Sequence, residues 1–352
     1  MSTSDNKEFQ FNERYTTGLG CSACIDLDIC GGISARGLFD CWPLCCNDLP
    51  RCDYVCPRNV EKFVEHMCEI RAFEFDDLPL TEPLNYAELP HYVPVIYSNA
   101  ANRRERLDAP FITVPLIQLI NLDNGELRFQ KREELADHFG FSADAKIIFS
   151  GVMEDVPLER YWYVRNRELI LALKKLEPIL VTSPNFSSFC NAPRWDNMFN
   201  LKRIAICWNE FVAAGIPTAL HMNARTPHDW QRWTKFIKER PDIRSISFEF
   251  ATIKGSRKPW YVRRLLELAK NVDRELQLVI RGGKRYISRL GKIYENVTFL
   301  DTDAFMKATM RQVIPLEGAP VSVASEFIDN HLRQNVLTRS EILKYELAGP
   351  TT

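Results

Sequence analysis

Short apolar runs alternate with amphipathic helical stretches along most of this 352-residue chain, and this alternation limits the possible folds more than any other feature. The apolar runs are 93–97, 112–116, 146–150, 179–183, 218–223, 245–250, 276–281 and 297–301. Apolar residues recur at helical spacing in the intervals 158–176, 194–214, 227–240, 259–271 and 285–294. Runs such as KIIFS and LQLVIR are apolar almost throughout, which is typical of strands buried on both faces of a parallel sheet. The pattern over 90–312 therefore predicts an α/β fold, a (β/α)8 TIM-like barrel, with a doubly wound open sheet as the alternative.

Two flanking regions complete the predicted organisation. Residues 1–75 form a Cys-rich module followed by a short amphipathic helix over 60–71, and a Pro- and acid-rich connector leads to the barrel. Residues 313–352 are predicted to form a helical cover, with one helix over 323–334 and a second begun by Thr338-x-x-Glu341, a capping-box spacing. The N-terminus is polar, and no run approaches the roughly 18 apolar residues of a membrane helix. We therefore expect a cytoplasmic protein that does not enter a membrane, and the oligomeric state stays open.

The cysteines are clustered, because nine of the eleven lie in the first 68 residues. Eight of them are the predicted metal ligands: Cys21, Cys24, Cys30, Cys41, Cys45, Cys46, Cys52 and Cys56. Their number suits two four-thiolate sites, or one site with spare thiols, and no histidine lies among them. The Cys56-Pro57 ending favours a 4Fe-4S cluster over structural Zn²⁺, although the spacing leaves both open, along with free or disulfide-bonded cysteines.

The ends of the predicted strands carry polar residues. In a barrel of this kind the functional groups lie at the carboxyl ends of the strands. Glu249 is flanked by Phe248 and Phe250, and such a carboxylate is costly to bury unless it has a partner or a chemical task. Asp301-x-Asp303 follows the last strand, where one carboxylate could act as a nucleophile or base and the other could orient it. We predict Glu249, Asp301 and Asp303 as catalytic residues, with a salt bridge or a helix cap as the alternative role for each.

Further strand-end residues are predicted to bind the substrate: Asn185, His221, Asn223, Arg281, Lys284 and Arg285. Arg281 precedes two glycines, where the backbone could approach a phosphate or a base. His221 could equally be a core histidine. No P-loop and no G-x-G-x-x-G motif is present.

Charge is uneven along the chain. The 45 basic and 46 acidic residues nearly cancel, yet the segment 253–312 has fourteen Lys and Arg against six Asp and Glu. Aromatic residues are interleaved with these cations in KGSRKPWYVRR and RGGKRYISRLGK. The mixture indicates a surface that follows phosphates beside a base-stacking pocket, or the solvated outer face of two barrel helices.

Five motifs lie between residues 183 and 312: SPNFSSFCNAPRWDNMFNLKR, GIPTALHMNAR, SISFEFATIKG, LVIRGG and LDTDAFMKATMRQ. Together they make the region 146–312 resemble a bacterial and phage group related to the tRNA-guanine transglycosylase superfamily, specifically its DNA-acting relatives. The resemblance implies a barrel that holds a flipped base at its rim and uses an aspartate at the sugar C1′, matched here by Asp301 or Asp303 together with Glu249. It favours DNA over RNA as the partner, in DNA modification or phage defence. The chain departs from the tRNA enzymes because its cysteines are N-terminal and their Gly-Gly-rich nucleophile motif is absent.

Three functional hypotheses result. The leading one is a glycosylase or transglycosylase that cleaves or exchanges an N-glycosidic bond in nucleic acid. The second is a non-catalytic nucleic-acid-binding protein with a Cys-rich knuckle. The third is an iron–sulfur- or metal-dependent enzyme that acts on a small molecule.

Overall fold

The architecture is a nearly closed, TIM-barrel-like cylinder of eight parallel strands surrounded by helices. A computed structural model describes residues 60–98, 103–188 and 194–348. The barrel strands are β1 (Tyr92–Pro94), β2 (Phe111–Pro115), β5 (Lys146–Ser150), β6 (Leu180–Thr182), β7 (Thr218–His221), β8 (Ser245–Glu249), β9 (Gln277–Arg281) and β10 (Asn296–Asp301). Their order is β1-β10-β9-β8-β7-β6-β5-β2. The two end strands meet where the Ile96 N–H donates to the Thr113 carbonyl at 2.8 Å. All eight predicted strands are confirmed, and the open-sheet alternative is wrong because the ends of the sheet approach each other.

Helices and small hairpins fill the connections between the barrel strands. The helices are α1 (Val60–Ile70), α2 (Arg132–Phe139), α3 (Asp155–Val164), α4 (Arg167–Lys174), α5 (Arg194–Ala213), α6 (Pro227–Glu239), α7 (Lys258–Val272), α8 (Ile287–Leu290), α9 (Asp303–Thr309) and α10 (Asp329–Ala348). The short strands are β3 (Ile120–Asn121), β4 (Glu126–Leu127), β11 (Gln312–Val313) and β12 (Val321–Ser322). None of the described helices is long and apolar enough to span a bilayer.

Two helix predictions need correction. The interval 158–176 contains two helices, because Arg165 is extended and the Asn166 side chain accepts a hydrogen bond from the Leu169 N–H at 2.7 Å, capping α4. The two predicted C-terminal helices are one continuous helix, α10, which passes through Thr338 without a cap. A capping-box spacing within a helix therefore did not mark a helix start here.

Strand alternation divides the apolar core into two parts. An inner cluster fills the barrel and includes Val93, Ile148, Val279 and Leu300, whereas the neighbouring residues on each strand belong to the core between strands and helices. The connector after α1 runs along α5 and ends under the barrel, where the Tyr86 hydroxyl donates to the Thr218 carbonyl at 3.1 Å. The floor is thereby covered, and the carboxyl ends of the strands form the mouth.

Candidate active site at the barrel mouth

Three adjacent strands place three predicted site residues inside the mouth. His221 ends β7, Glu249 ends β8 and Arg281 ends β9. The preceding residues Leu220, Phe248 and Ile280 face the outer core, so the three polar side chains face the barrel interior. Glu249 pairs with Arg281 in the strand register, and His221 pairs with Ser247 one layer below. The fold therefore groups an imidazole, a carboxylate and a guanidinium in one sector of the interior.

Glu249 is a buried carboxylate with one unsatisfied oxygen. Its Oε1 accepts a hydrogen bond from the Ala251 N–H at 2.6 Å, whereas its buried Oε2 accepts none. Arg281 Nη1 lies 3.4 Å from Oε2, an ion-pair distance without hydrogen-bond geometry. Burial raises the pKa of Glu249, and this effect outweighs the lowering by Arg281 and by the Ala251 N–H. Glu249 therefore holds a proton at higher pH than an exposed glutamate does.

His221 is a neutral imidazole in the folded protein. Its side chain is buried, and its Nδ1 lies 3.3 Å from the Ser247 hydroxyl. Burial lowers the pKa of His221 to about 3. The ring can therefore donate or accept one hydrogen bond near pH 7, but it does not contribute a positive charge.

Tyr97 is a fourth residue of the mouth that the sequence did not single out. It follows β1, packs against the inner cluster, and its ring centroid lies 5.6 Å from that of Phe305. Burial raises the pKa of Tyr97, while Arg281 lowers it and Glu249 raises it, so the phenol shares the electrostatic environment of that pair. Val93 and Val95 face the barrel interior, and Tyr97 continues this alternation of every second residue. That pattern was the signal in the sequence that could have identified Tyr97.

Asp301 lies on the opposite face of its strand and points away from the mouth. It is completely buried against α10, where Arg339 donates from Nε to Oδ2 and from Nη2 to Oδ1, both at 2.9 Å. The Tyr92 hydroxyl donates to Oδ2 at 3.0 Å, and the Asp303 N–H donates to Oδ1 at 3.1 Å. Each oxygen therefore has two donors, and this geometry favours the salt-bridge alternative over a nucleophile.

Asp303 is also outside the group formed by Glu249 and Arg281. It is the first residue of α9, and its Oδ2 accepts from Arg339 Nη2 at 3.0 Å. Its side chain is 58% exposed. The carboxylate thus completes the network that attaches α10 to the barrel.

Asn185 and Asn223 connect neighbouring rim loops through the backbone. Asn185 Oδ1 accepts from the Met153 N–H at 3.0 Å, and Asn223 Nδ2 donates to the Phe186 carbonyl at 2.7 Å. Arg225, which the sequence did not single out, donates to the Ser188 carbonyl at 2.6 Å. These contacts hold the loop after β6 in place, so the geometry gives both asparagines a positioning role.

Lys284 and Arg285 lie on the rim but do not point at Glu249. Lys284 Nζ pairs with Glu346 of α10 at 3.1 Å, and the exposed Arg285 lies 4.8 Å above the ring of Tyr286. The preceding Gly282 has a φ of 72°, and a Cβ there would lie 2.6 Å from the Ala251 nitrogen. The glycine therefore permits close approach of two rim loops rather than leaving space for a ligand.

The loops after β8 and β9 carry exposed cations without acidic partners among the described residues. Lys254, Arg257 and Arg285 are exposed in the loops after β8 and β9, and none forms an ion pair within the described residues. Lys258, at the start of α7, is close enough to Glu249 to lower its pKa. Part of the predicted positive segment is thus located at the rim, whereas Arg264 faces Glu267 on the outer surface at 2.8 Å.

The eight predicted metal-ligand cysteines, Cys21 to Cys56, lie outside the described residues. Within 60–98, 103–188 and 194–348, no group of three or more His, Cys, Asp or Glu side chains could hold a metal ion. The predicted cluster or zinc site is therefore a prediction about the N-terminal segment alone.

No family model matches this sequence, and no curated protein matches it at a significant level.

Proposed function

We propose that this chain is a nucleic-acid base-modifying enzyme that cleaves or exchanges an N-glycosidic bond, with DNA favoured over RNA. The observation that carries the proposal is the buried Glu249 carboxyl beside Arg281 in the mouth of a barrel. Functional groups of TIM-barrel enzymes lie at this end of the strands. A carboxyl with a raised pKa and an unsatisfied oxygen suits proton transfer.

The proposed chemistry uses Glu249 in both protonation states. As an acid it gives its proton to the departing base while the bond from that base to C1′ breaks. As a carboxylate it then stabilises the oxocarbenium-like sugar. Water adds to C1′ in hydrolysis or a second base adds in exchange, and the Glu249 carboxylate takes up the proton that the incoming group loses, which restores the acid. Arg281, with 26% of its side chain exposed, would bind the base or a neighbouring phosphate. Neutral His221 would supply one hydrogen bond.

The rim supports a polyanionic substrate. Lys254, Arg257 and Arg285 are exposed in the loops that follow β8 and β9, the strands that end in Glu249 and Arg281. Unpaired rim cations can replace counterions on phosphates, and a base must leave its stack to enter a pocket of this kind. A single strand, or a flipped base in a duplex, is therefore the expected substrate form.

The decisive experiment incubates the full chain with modified and unmodified DNA and tRNA. Abasic sites and released bases are measured by an aldehyde-reactive probe and by mass spectrometry. Glu249→Gln should lower the rate about 10²- to 10⁴-fold, as expected for the loss of a general acid. Glu267→Gln, a glutamate on the outer face of α7, is the matched control and should retain full activity.

Two results would contradict the proposal. The first is the absence of any product from all four substrates, with salt-dependent binding that is unaffected by Glu249→Gln; this would support the non-catalytic binding protein instead. The second is product formation at an equal rate by wild type and Glu249→Gln. Activity on a small molecule that is lost with bound iron or zinc would favour the metal-dependent alternative.

A further inference from the structure

Within the described residues, the outer layer of the barrel shows no helix between β1 and β2. A regular (β/α)8 barrel has a helix after every strand. The connection from β1 to β2 contains none in its described parts, 95–98 and 103–110. The outer side of these two strands is therefore bordered by α10 instead of by a helix of their own.

A groove of about 370 Å³ lies at this position. One wall comes from the barrel and includes Tyr92, Pro94 and Phe111, and the other comes from α10 and includes Leu343 and Leu347. Leu337, on the lip of the groove, is 65% exposed. An exposed leucine beside an apolar groove marks an interaction surface more often than an isolated surface leucine does.

The exposed stripe of α10 is self-complementary. Leu337, Glu341 and Lys344 are exposed at i, i+4 and i+7, so they lie on one helix face beside the groove. In two such helices packed antiparallel about a two-fold axis near residue 342, Leu337 of each lies beside Leu347 of the other. Glu341 of each then faces Lys344 of the other, so both the apolar and the charged positions match.

We propose that this face joins two copies of the chain into a two-fold symmetric dimer, with each Leu337 inserted into the groove of the other copy. The segment 18–57 is a poorer occupant, because it is rich in Gly, Pro and Cys and offers few apolar residues at helical spacing. The proposal is independent of the function proposed for the mouth.

Sedimentation equilibrium of the full chain between about 1 and about 100 µM tests the dimer. Wild type should dimerise in this range, and Leu337→Asp should weaken association at least 30-fold, a threshold of about 2 kcal/mol for an interface hot spot. Val156→Asp is the matched control, since Val156 is 73% exposed on α3 and does not line the groove. Circular dichroism checks that both variants fold.

A charge swap provides a second test that does not depend on Leu337. Glu341→Lys and Lys344→Glu should each weaken the dimer, and the double variant should restore it. A wild-type protein that stays monomeric at all concentrations would overturn the proposal, as would equal weakening by Leu337→Asp and Val156→Asp. Failure of the double variant to recover association would refute the antiparallel arrangement.

Discussion

Replacing Arg339 with methionine is expected to destabilise the protein strongly. Arg339 makes two hydrogen bonds of 2.9 Å to Asp301, whose side chain is only 1% exposed. Methionine retains the helix propensity and the apolar stem of arginine but has no donor. The substitution would therefore leave a buried carboxylate with only the Tyr92 hydroxyl and the Asp303 N–H.

Two estimates of the cost agree. Hydrogen bonds to a charged group contribute about 1.5–3 kcal/mol each, so losing two costs about 3–6 kcal/mol. Removing one partner of a buried ion pair typically costs about 3–5 kcal/mol. The contact of Arg339 with Asp303 adds less than about 1 kcal/mol, because the Asp303 side chain is 58% exposed. We expect a loss of about 3–5 kcal/mol, a large fraction of the total stability of an ordinary domain.

Equilibrium unfolding in urea at pH 7 measures this loss. Arg333→Met is the control, since the ion pair of Arg333 with Glu105 is 48% and 60% exposed and should contribute no more than about 1 kcal/mol. Adding Asp301→Asn to Arg339→Met should recover about 2 kcal/mol by removing the stranded charge. If Arg339→Met cost no more than Arg333→Met, the network would not be what attaches α10 to the barrel.

Three further predictions concern the mouth and its rim. Because the pKa of His221 falls to about 3 in the fold, the unfolded chain binds a proton first as the pH drops below about 6.5. Stability should therefore fall by about 2 kcal/mol between pH 7 and pH 5, and urea unfolding of His221→Gln should lack this component. Glu249 has a raised pKa, so its burial begins to cost stability as the pH rises above the ordinary pKa of a glutamate, and the cost is complete above the raised pKa. Glu249→Gln should therefore be more stable than wild type at pH 8, with the difference shrinking as the pH is lowered towards that ordinary value. Changing Lys254, Arg257 and Arg285 together to serine should reduce the salt dependence of DNA binding by about 3 logarithmic units per decade of salt, whereas an unchanged slope would exclude the rim from phosphate contact.

The strands of the barrel were predictable because they are buried on both faces. Continuous apolar runs such as 146–150 and 276–281 stand out from the helical intervals, and every predicted run overlaps a barrel strand. Helix boundaries were less predictable. Near residue 165 the boundary is set by a local cap, the Asn166 side chain. Within 323–348 the helix continues through the cap-like spacing at Thr338, because tertiary packing overrides that spacing.

Part of the candidate site was predictable, because its polar residues stand at the ends of continuous apolar runs. His221, Glu249 and Arg281 are polar residues at strand ends, and the structure brings them together in the mouth. Asp301 satisfies the same description, yet it faces α10. A run that is apolar on both faces carries no pattern to tell which face is inward, so the sequence could not separate these cases.

The sequence alone determined the strand–helix alternation, the clustering of the cysteines in the first 68 residues and the positive segment late in the chain. These features depend on composition and spacing along the chain. Only the tertiary structure decided that Glu249 faces Arg281 while Asp301 faces Arg339, because the direction of each side chain follows from how the sheet closes. The closure of the barrel depends on contacts between strands that are separated along the chain, such as Ile96 with Thr113 and Val95 with Asp301.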